Sequence, residues 1–545
     1  MLIVFFLISL LTTADRQQHD AHGAAEKPAT LTPGLGTLHH AIATRSAEAQ
    51  QFFDQGLTLV YAFNHEEAVR AFRRAAELDP ASPMTHWGIA LALGPNINLD
   101  VDPEREKAAH DEAQRARALT ASAPASERAY VDAIVTRYSN DPNADLKALQ
   151  VRYSGAMKAL VKAYPNDLDA ATLYAESLMD LHPWRLWTLD GKATEGTGEI
   201  VAALESVLRR DSTHIGANHY YIHAVEASLT PDRALASARR LETLVPAAGH
   251  LVHMPAHIYM RTGNYLGAVT SNARAAEVDR AFIKANGAGG VYPSMYYNHN
   301  LDFLASAAMM SGQFEEAKKA ADLVVANTTP MLGDMPMLEA FGAKTLYVLL
   351  RFARWDEVMR LPQPDPKHLL LTLMWNFGRG VAQAARGNRD DAERYRAAYL
   401  VARQAIPSDM DWGYNKASGM LAVSDAVLDA WMARVTRDDT ACLDAWRTAV
   451  LAEDMLNYDE PADWFYPTRE SLGMTLLRMK QFDRAEQVFR EDLTRNPKNG
   501  RSLYGLWQTL LLTKRPSEKA VVTAAENQFR EAWKHADVTL RIEDF

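Results

Sequence analysis

The residues of this chain whose types and spacing could do chemistry are histidines. His219 and His223 lie in Gly216–Ser228 (GANHYYIHAVEAS), and His250, His253 and His257 lie in Gly249–Tyr265 (GHLVHMPAHIYMRTGNY). The pairs His219/His253 and His223/His257 are each 34 residues apart, the period of a helix–turn–helix repeat unit, so the two segments should be neighbours in space. Within each segment the spacing is helical: HxxxH in His219/His223, with Glu226 one turn further on, and HxxHxxxH in His250/His253/His257. Three imidazoles on one helix face repel each other if protonated and waste packing area if they have no role. Sets of imidazole and carboxylate bind zinc, copper or iron, whereas calcium and magnesium favour oxygen ligands alone. The chemistry implied is therefore a transition-metal centre holding one ion with supporting histidines, or two ions.

Composition limits the alternatives. The 545 residues exceed one ordinary core, so the chain is either several domains or a repeat array. Its net charge is −10, from 58 basic and 68 acidic side chains, without a dense Lys/Arg stripe to track a phosphate backbone, which argues against a nucleic-acid partner. The opening MLIVFFLISLLTTAD is too short an apolar run for a membrane span and suits a signal-peptide core, although it lacks a basic n-region. The polar stretch that follows, with His19 and His22, reads as a tail without a site. One cysteine, Cys442, excludes an internal disulfide and any multi-cysteine metal site. An exported protein, periplasmic or secreted, is the expectation. No GxSxG or HExxH motif occurs, and the glycine-rich Ala285–Gly290 lacks the Lys and Ser/Thr of a phosphate loop.

The elements that must position the histidines are helices, since apolar residues recur at three- and four-residue steps with breaks at Pro, Gly and Asp-Pro. In Gly56–Pro80, Gly56, Ala68, Phe72 and Pro80 stand at small, small, aromatic and proline positions, and Gly473, Ala485, Phe489 and Pro497 repeat them near the C-terminus. Partial matches occur around Gly263 with Ala268, Gly312 with Ala317 and Gly387 with Ala392. In these residues the chain resembles the tetratricopeptide repeat family. The resemblance implies an all-α solenoid of helical hairpins wound as a right-handed superhelix, with the first helix of each unit lining a concave groove. Two segments depart from the pattern: the charged stretch from Asn96 to Asn140, read as an inserted or lengthened helix pair, and Leu361–His368, read as a break. The expected organisation is a signal-like segment and tail over 1–33, an N-terminal array over 34–360 and a C-terminal array over 361–545.

Family register implies that positions two, five, nine and twelve of each first helix face the groove. With Gly263 at position fifteen these are His250, His253, His257 and Met260; one unit earlier, His219, His223 and Glu226 take positions five, nine and twelve. In the following unit His299 and Asp302 take positions two and five, and in the preceding one Thr172 and Glu176 take positions five and nine. The expected metal ligands are thus His219, His223, His250, His253, His257, Glu226, His299 and Asp302, with Glu226 or Glu176 as acid or base if the site is catalytic. The turn Leu178–Lys192, with His182, Trp184, Arg185 and Trp187, forms a lid over the groove or packs between repeats. The alternative function is a metal-free scaffold whose groove takes a protein, peptide or small-molecule partner.

Overall fold

The computed structural model describes residues 29–287, 290–513 and 519–545. The apolar opening run, most of the polar tail and part of the glycine-rich Ala285–Gly290 segment lie outside the described residues. Helical hairpins account for almost all of the rest, and the one sheet among the described residues is the two-residue pair Asp411–Trp412 and Asn415–Lys416. No described helix is long and apolar enough to cross a membrane.

The consensus residues make the hairpins. Ser46 caps the helix Ala47–Tyr61 by accepting a bond from the Ala49 N–H, and the chain returns as His65–Leu78. The Phe72 ring is fully buried between Gly56 and Gly88. A Cβ on either glycine would lie 2.7 or 2.4 Å from that ring, so no larger residue fits. Near the C-terminus Phe489 is buried in the same way against Gly473 and Gly505, where a Cβ would lie 2.6 or 2.2 Å away. The fold is an all-α helical-hairpin repeat of the tetratricopeptide type.

Seven of the described hairpins turn through one residue in the left-handed region just before the second helix. Glycine fills that position at Gly263, Gly312 and Gly387, but Phe63, Ala353, Arg437 and Lys480 occupy it with φ between 54° and 61°. These side chains cost about 1–2 kcal/mol each relative to ordinary backbone. At Ala353 and Arg437 the missing glycine also explains why those repeats are hard to see in the sequence.

The charged stretch after Asn96 does not form a pair of its own: Pro103–Ala118, capped by Asp102, packs mainly against the preceding helix Pro83–Leu93, and Ala125–Ile134 is a shorter helix that follows. The described residues divide into two compact units: one runs up to Ile258 and takes in Arg274–Pro293, and the other comprises Tyr259–Ala273 and Ser294–Phe545. The Leu361–His368 segment is a loop between the helices Trp355–Arg360 and Leu369–Ala385, inside the second unit.

Candidate metal centre

In the first unit the helix Ile215–Val225 carries His219 and His223 and is followed by Glu226 as its C-cap. It begins at a close approach, since a Cβ on Gly216 would lie 2.5 Å from the Tyr61 ring. That contact brings the end of the helix Ala47–Tyr61 beside His219. The other histidine segment is not one straight helix. Pro255 has no N–H for the helical ladder, and the chain divides into Gly249–His253 and Pro255–Thr262 about Met254. His253 and His257 nevertheless stay on one face, with their Nε2 atoms 2.8 Å apart.

Hydrogen bonds fix which nitrogen of each ring faces inward. His219 Nδ1 lies 2.7 Å from the Tyr61 carbonyl oxygen, which can only accept, so Nδ1 carries the hydrogen and the lone pair is on Nε2. Glu226 does the same for two rings at once: Oε1 is 2.7 Å from His223 Nδ1 and Oε2 is 2.5 Å from His257 Nδ1. Burial alone would push the Glu226 pKa up, but His257 and His223 hold it well below the usual carboxylate range. As an ionised acceptor it leaves Nε2 of the neutral His223 ring as the lone-pair nitrogen. Burial also lowers the pKa of His219 and His223, which keeps those rings neutral at pH 7.

The inward nitrogens converge. His219 Nε2 and His250 Nε2 are 3.2 Å apart, and one ligand atom each of His219, His223 and His250 lies within 4.8 Å of the other two. Two nitrogens bound to zinc at about 2.0–2.1 Å in a tetrahedron are separated by about 3.3 Å, close to the first of these distances. His223 Nε2 is buried and has no hydrogen-bond partner. His223, Glu226, His257 and His253 also form a continuous hydrogen-bonded line leading away from the three-histidine group.

The family register places these side chains on the face that lines a concave groove, and in the structure that face is closed over. His219, His223, Glu226, His250, His253 and His257 are all between 0 and 6% exposed. Aromatic rings enclose them. Phe63 lies 4.6 Å from His219 and 5.3 Å from His250, centroid to centroid, and Trp184 lies edge-on to His223 at 5.6 Å. Trp184 therefore forms a wall of the site, while Trp187 gives its indole N–H to the Ala224 carbonyl at the end of the histidine helix. Arg185 is exposed.

Two expected site residues, Glu176 and Asp302, are drawn to other partners. Glu176 does not join the imidazoles: it is buried with Asp180 and Arg137, whose guanidinium lies 3.8 Å from Glu176 and 2.7 Å from Asp180. Position nine of that helix thus serves an ion cluster, because Arg137 needs a buried counter-charge. Asp302 belongs to the second unit, where it pairs with Lys344 at 2.6 Å, so its charge is already met. His299 is in the same unit, with its ring 5.6 Å from that of Phe303. Sequence reasoning missed Phe63 and Tyr61. The signal for Phe63 was its place before Asn64, where other repeats have Gly-Asn.

No protein-family profile matches the chain, and no curated protein does. Among solved structures it is similar to the human IFIT1 dimer with m7Gppp-AAAA, at 11% identity over 91% of this chain and 92% of that one, with a TM-score of 0.32. Yeast Tom70 gives 10% identity over 90% and 97% of the two chains, with a TM-score of 0.28. The Cut9 and Hcn1 hetero-tetramer of the APC/C gives 11% identity over 90% and 97%, with a TM-score of 0.27. Likeness at this level carries no weight for site or activity. The repeat packing itself defines the class: an all-α tetratricopeptide-type repeat protein with a buried histidine cluster.

Proposed function

We propose that the first unit is a transition-metal protein whose ion is held by Nε2 of His219, His223 and His250. The observation that carries this reading is the fixed direction of the rings: Tyr61 and Glu226 bind the outer nitrogens of His219 and His223 and leave their lone pairs pointing at a common space. Carboxylates and carbonyls that orient ligating histidines in this way are the usual second layer of a metal site. Zinc, copper and iron suit a nitrogen-only set, and three protein ligands leave a coordination position for water or substrate. Glu226 acts here as the orienting carboxylate, since each of its oxygens holds an imidazole Nδ1. The line His223, Glu226, His257, His253 is suited to carrying a proton away from the centre. Export to an oxidising compartment, suggested by the apolar opening run and compatible with the single cysteine, belongs to the same proposal.

The test is metal analysis of protein purified without a histidine tag. About one equivalent of zinc, copper or iron is expected, with a nitrogen-only first shell in X-ray absorption and loss of the metal in His219→Ala/His250→Ala. A protein that takes up none of these metals, and whose partner binding ignores chelator, would instead be the metal-free scaffold.

A further inference from the structure

A second group of titratable side chains gathers at the N-terminal ends of the helices Leu168–Met179 and Ile215–Val225. They line a cavity of about 600 Å³ whose walls include His40, Glu127, Asp167, Asp169, Asp211 and His214. Asp167 caps its helix through Oδ1, which accepts from the Ala170 N–H at 2.9 Å, while Oδ2 accepts from the Tyr130 hydroxyl at 2.9 Å. Asp169 Oδ1 accepts from the Tyr61 hydroxyl at 2.6 Å and lies 3.2 Å from His214 Nε2. Its Oδ2 lies 2.8 Å from His40 Nδ1. His214 Nδ1 accepts from the Ala217 N–H, so its Nε2 carries the hydrogen that faces Asp169.

These bonds hold the groups in place without exhausting them. Each carboxylate oxygen has two lone pairs, so both oxygens of Asp167 and Oδ2 of Asp169 each keep one, and an ion taking the place of the hydrogen on His40 Nδ1 would lie between that nitrogen and Asp169 Oδ2, 2.8 Å apart. His40, Asp167 and Asp169 each present a ligand atom within 4.8 Å of the other two. An independent observation points to a ligand. Glu127 lines the same cavity and is only 5% exposed, and while Oε1 accepts from the Ala43 N–H, Oε2 is buried with no partner. Burial pushes the Glu127 pKa up, against the opposing effects of the Ala43 N–H and His40. With Glu127, Asp167 and Asp169 set against His40 and His214, the walls carry an excess of negative charge. We infer that this cavity is a second cation site, in which His40, Asp167 and Asp169 coordinate a divalent ion and Glu127 supplies the remaining charge. The mixed oxygen and nitrogen donors fit manganese or zinc better than calcium or magnesium. The site uses none of the histidines of the proposed metal centre.

The probe is Mn²⁺ alone, titrated into the untagged full-length chain and followed by electron paramagnetic resonance. We expect a tight site whose pulsed spectrum shows coupling to imidazole nitrogen. It should weaken about tenfold or more in His40→Gln and in Glu127→Gln, and persist in His219→Ala/His250→Ala. Circular dichroism checks that each variant is folded, and the nitrogen coupling of the unmodified chain decides the matter should a variant not fold. The proposal is overturned if the chain binds no Mn²⁺, if the bound ion lacks nitrogen coupling, or if both single variants bind as the parent does. Loss of the site in the His219/His250 variant alone would also overturn it, by placing the ion in the other centre. Failure of the histidine centre to hold metal leaves this test unaffected.

Discussion

Phe72 fills the space between Gly56 and Gly88 in the first unit, and Phe489 fills the space between Gly473 and Gly505 in the second. On this shared frame the two units bury different polar networks. In the second, Glu470 receives Arg351 at both oxygens, Asn499 at 2.8 Å and Arg501 at 3.0 Å, and Asn499 and Ser502 go on to Asp492. Every acceptor site of that carboxylate is taken. In the first, Glu226 spends its two oxygens on imidazole Nδ1 atoms and thereby turns lone pairs towards a shared space. A saturated network fixes a fold, whereas one whose bonds leave donor atoms converging is arranged for something else to bind.

The largest effect should come from breaking the saturated network. Glu470→Ala leaves Arg351 and Arg501 buried without their counter-charge and should cost about 3–5 kcal/mol in denaturant unfolding, with metal content unchanged. If the shared frame is equivalent in the two units, Phe72→Ala and Phe489→Ala should each cost about 3–5 kcal/mol; a large inequality would show that one unit repacks around the cavity. Glu226→Gln keeps the shape but can accept at only one oxygen, and metal affinity should fall about 10- to 100-fold by competition with a chelator, with little change in the second unit.

A pH effect separates the units further. The pKa values of His219 and His223 are lower in the folded chain than the ordinary 6.5, so their contribution to stability is complete above that value. It is lost as pH falls below 6.5, because the unfolded chain takes up protons that the folded chain refuses. Metal-stripped protein should therefore melt at falling temperature from pH 7 to pH 5, and His219→Gln/His223→Gln should flatten that slope. The smallest change is Lys480→Gly, at an exposed turn residue with φ 58°, which should stabilise the second unit by about 1 kcal/mol. No gain there would mean that the entropy of glycine in the unfolded chain cancels the relief of strain.

The repeat class was legible because small, small and aromatic positions at fixed spacing have one packing solution, the ring of Phe72 or Phe489 between two glycines. The sharing of one site by His219, His223, His250, His253 and His257 was legible for the same reason: a repeat period converts distance along the chain into adjacency. The register carried less far where side chains had other partners. Glu176 and Asp302 take positions nine and five of their helices, both on the face expected to carry ligands, yet Arg137 and Lys344 draw them into ion pairs that no periodicity announces. Repeats turning on Ala353 and Arg437 escaped notice because no glycine marks the left-handed turn there, whereas those turning on Phe63 and Lys480 were legible from their small and aromatic positions alone. By itself, then, the sequence determined the helices, their stacking and the identity of the clustered histidines, all of which follow from local periodicity. Only the tertiary structure decided which nitrogen each ring turns inward, that aromatic rings bury the cluster, and that His40 and Glu127 share a cavity with Asp167 and Asp169. Those outcomes depend on hydrogen bonds and ring contacts between residues far apart in the chain, such as His219 with the Tyr61 carbonyl.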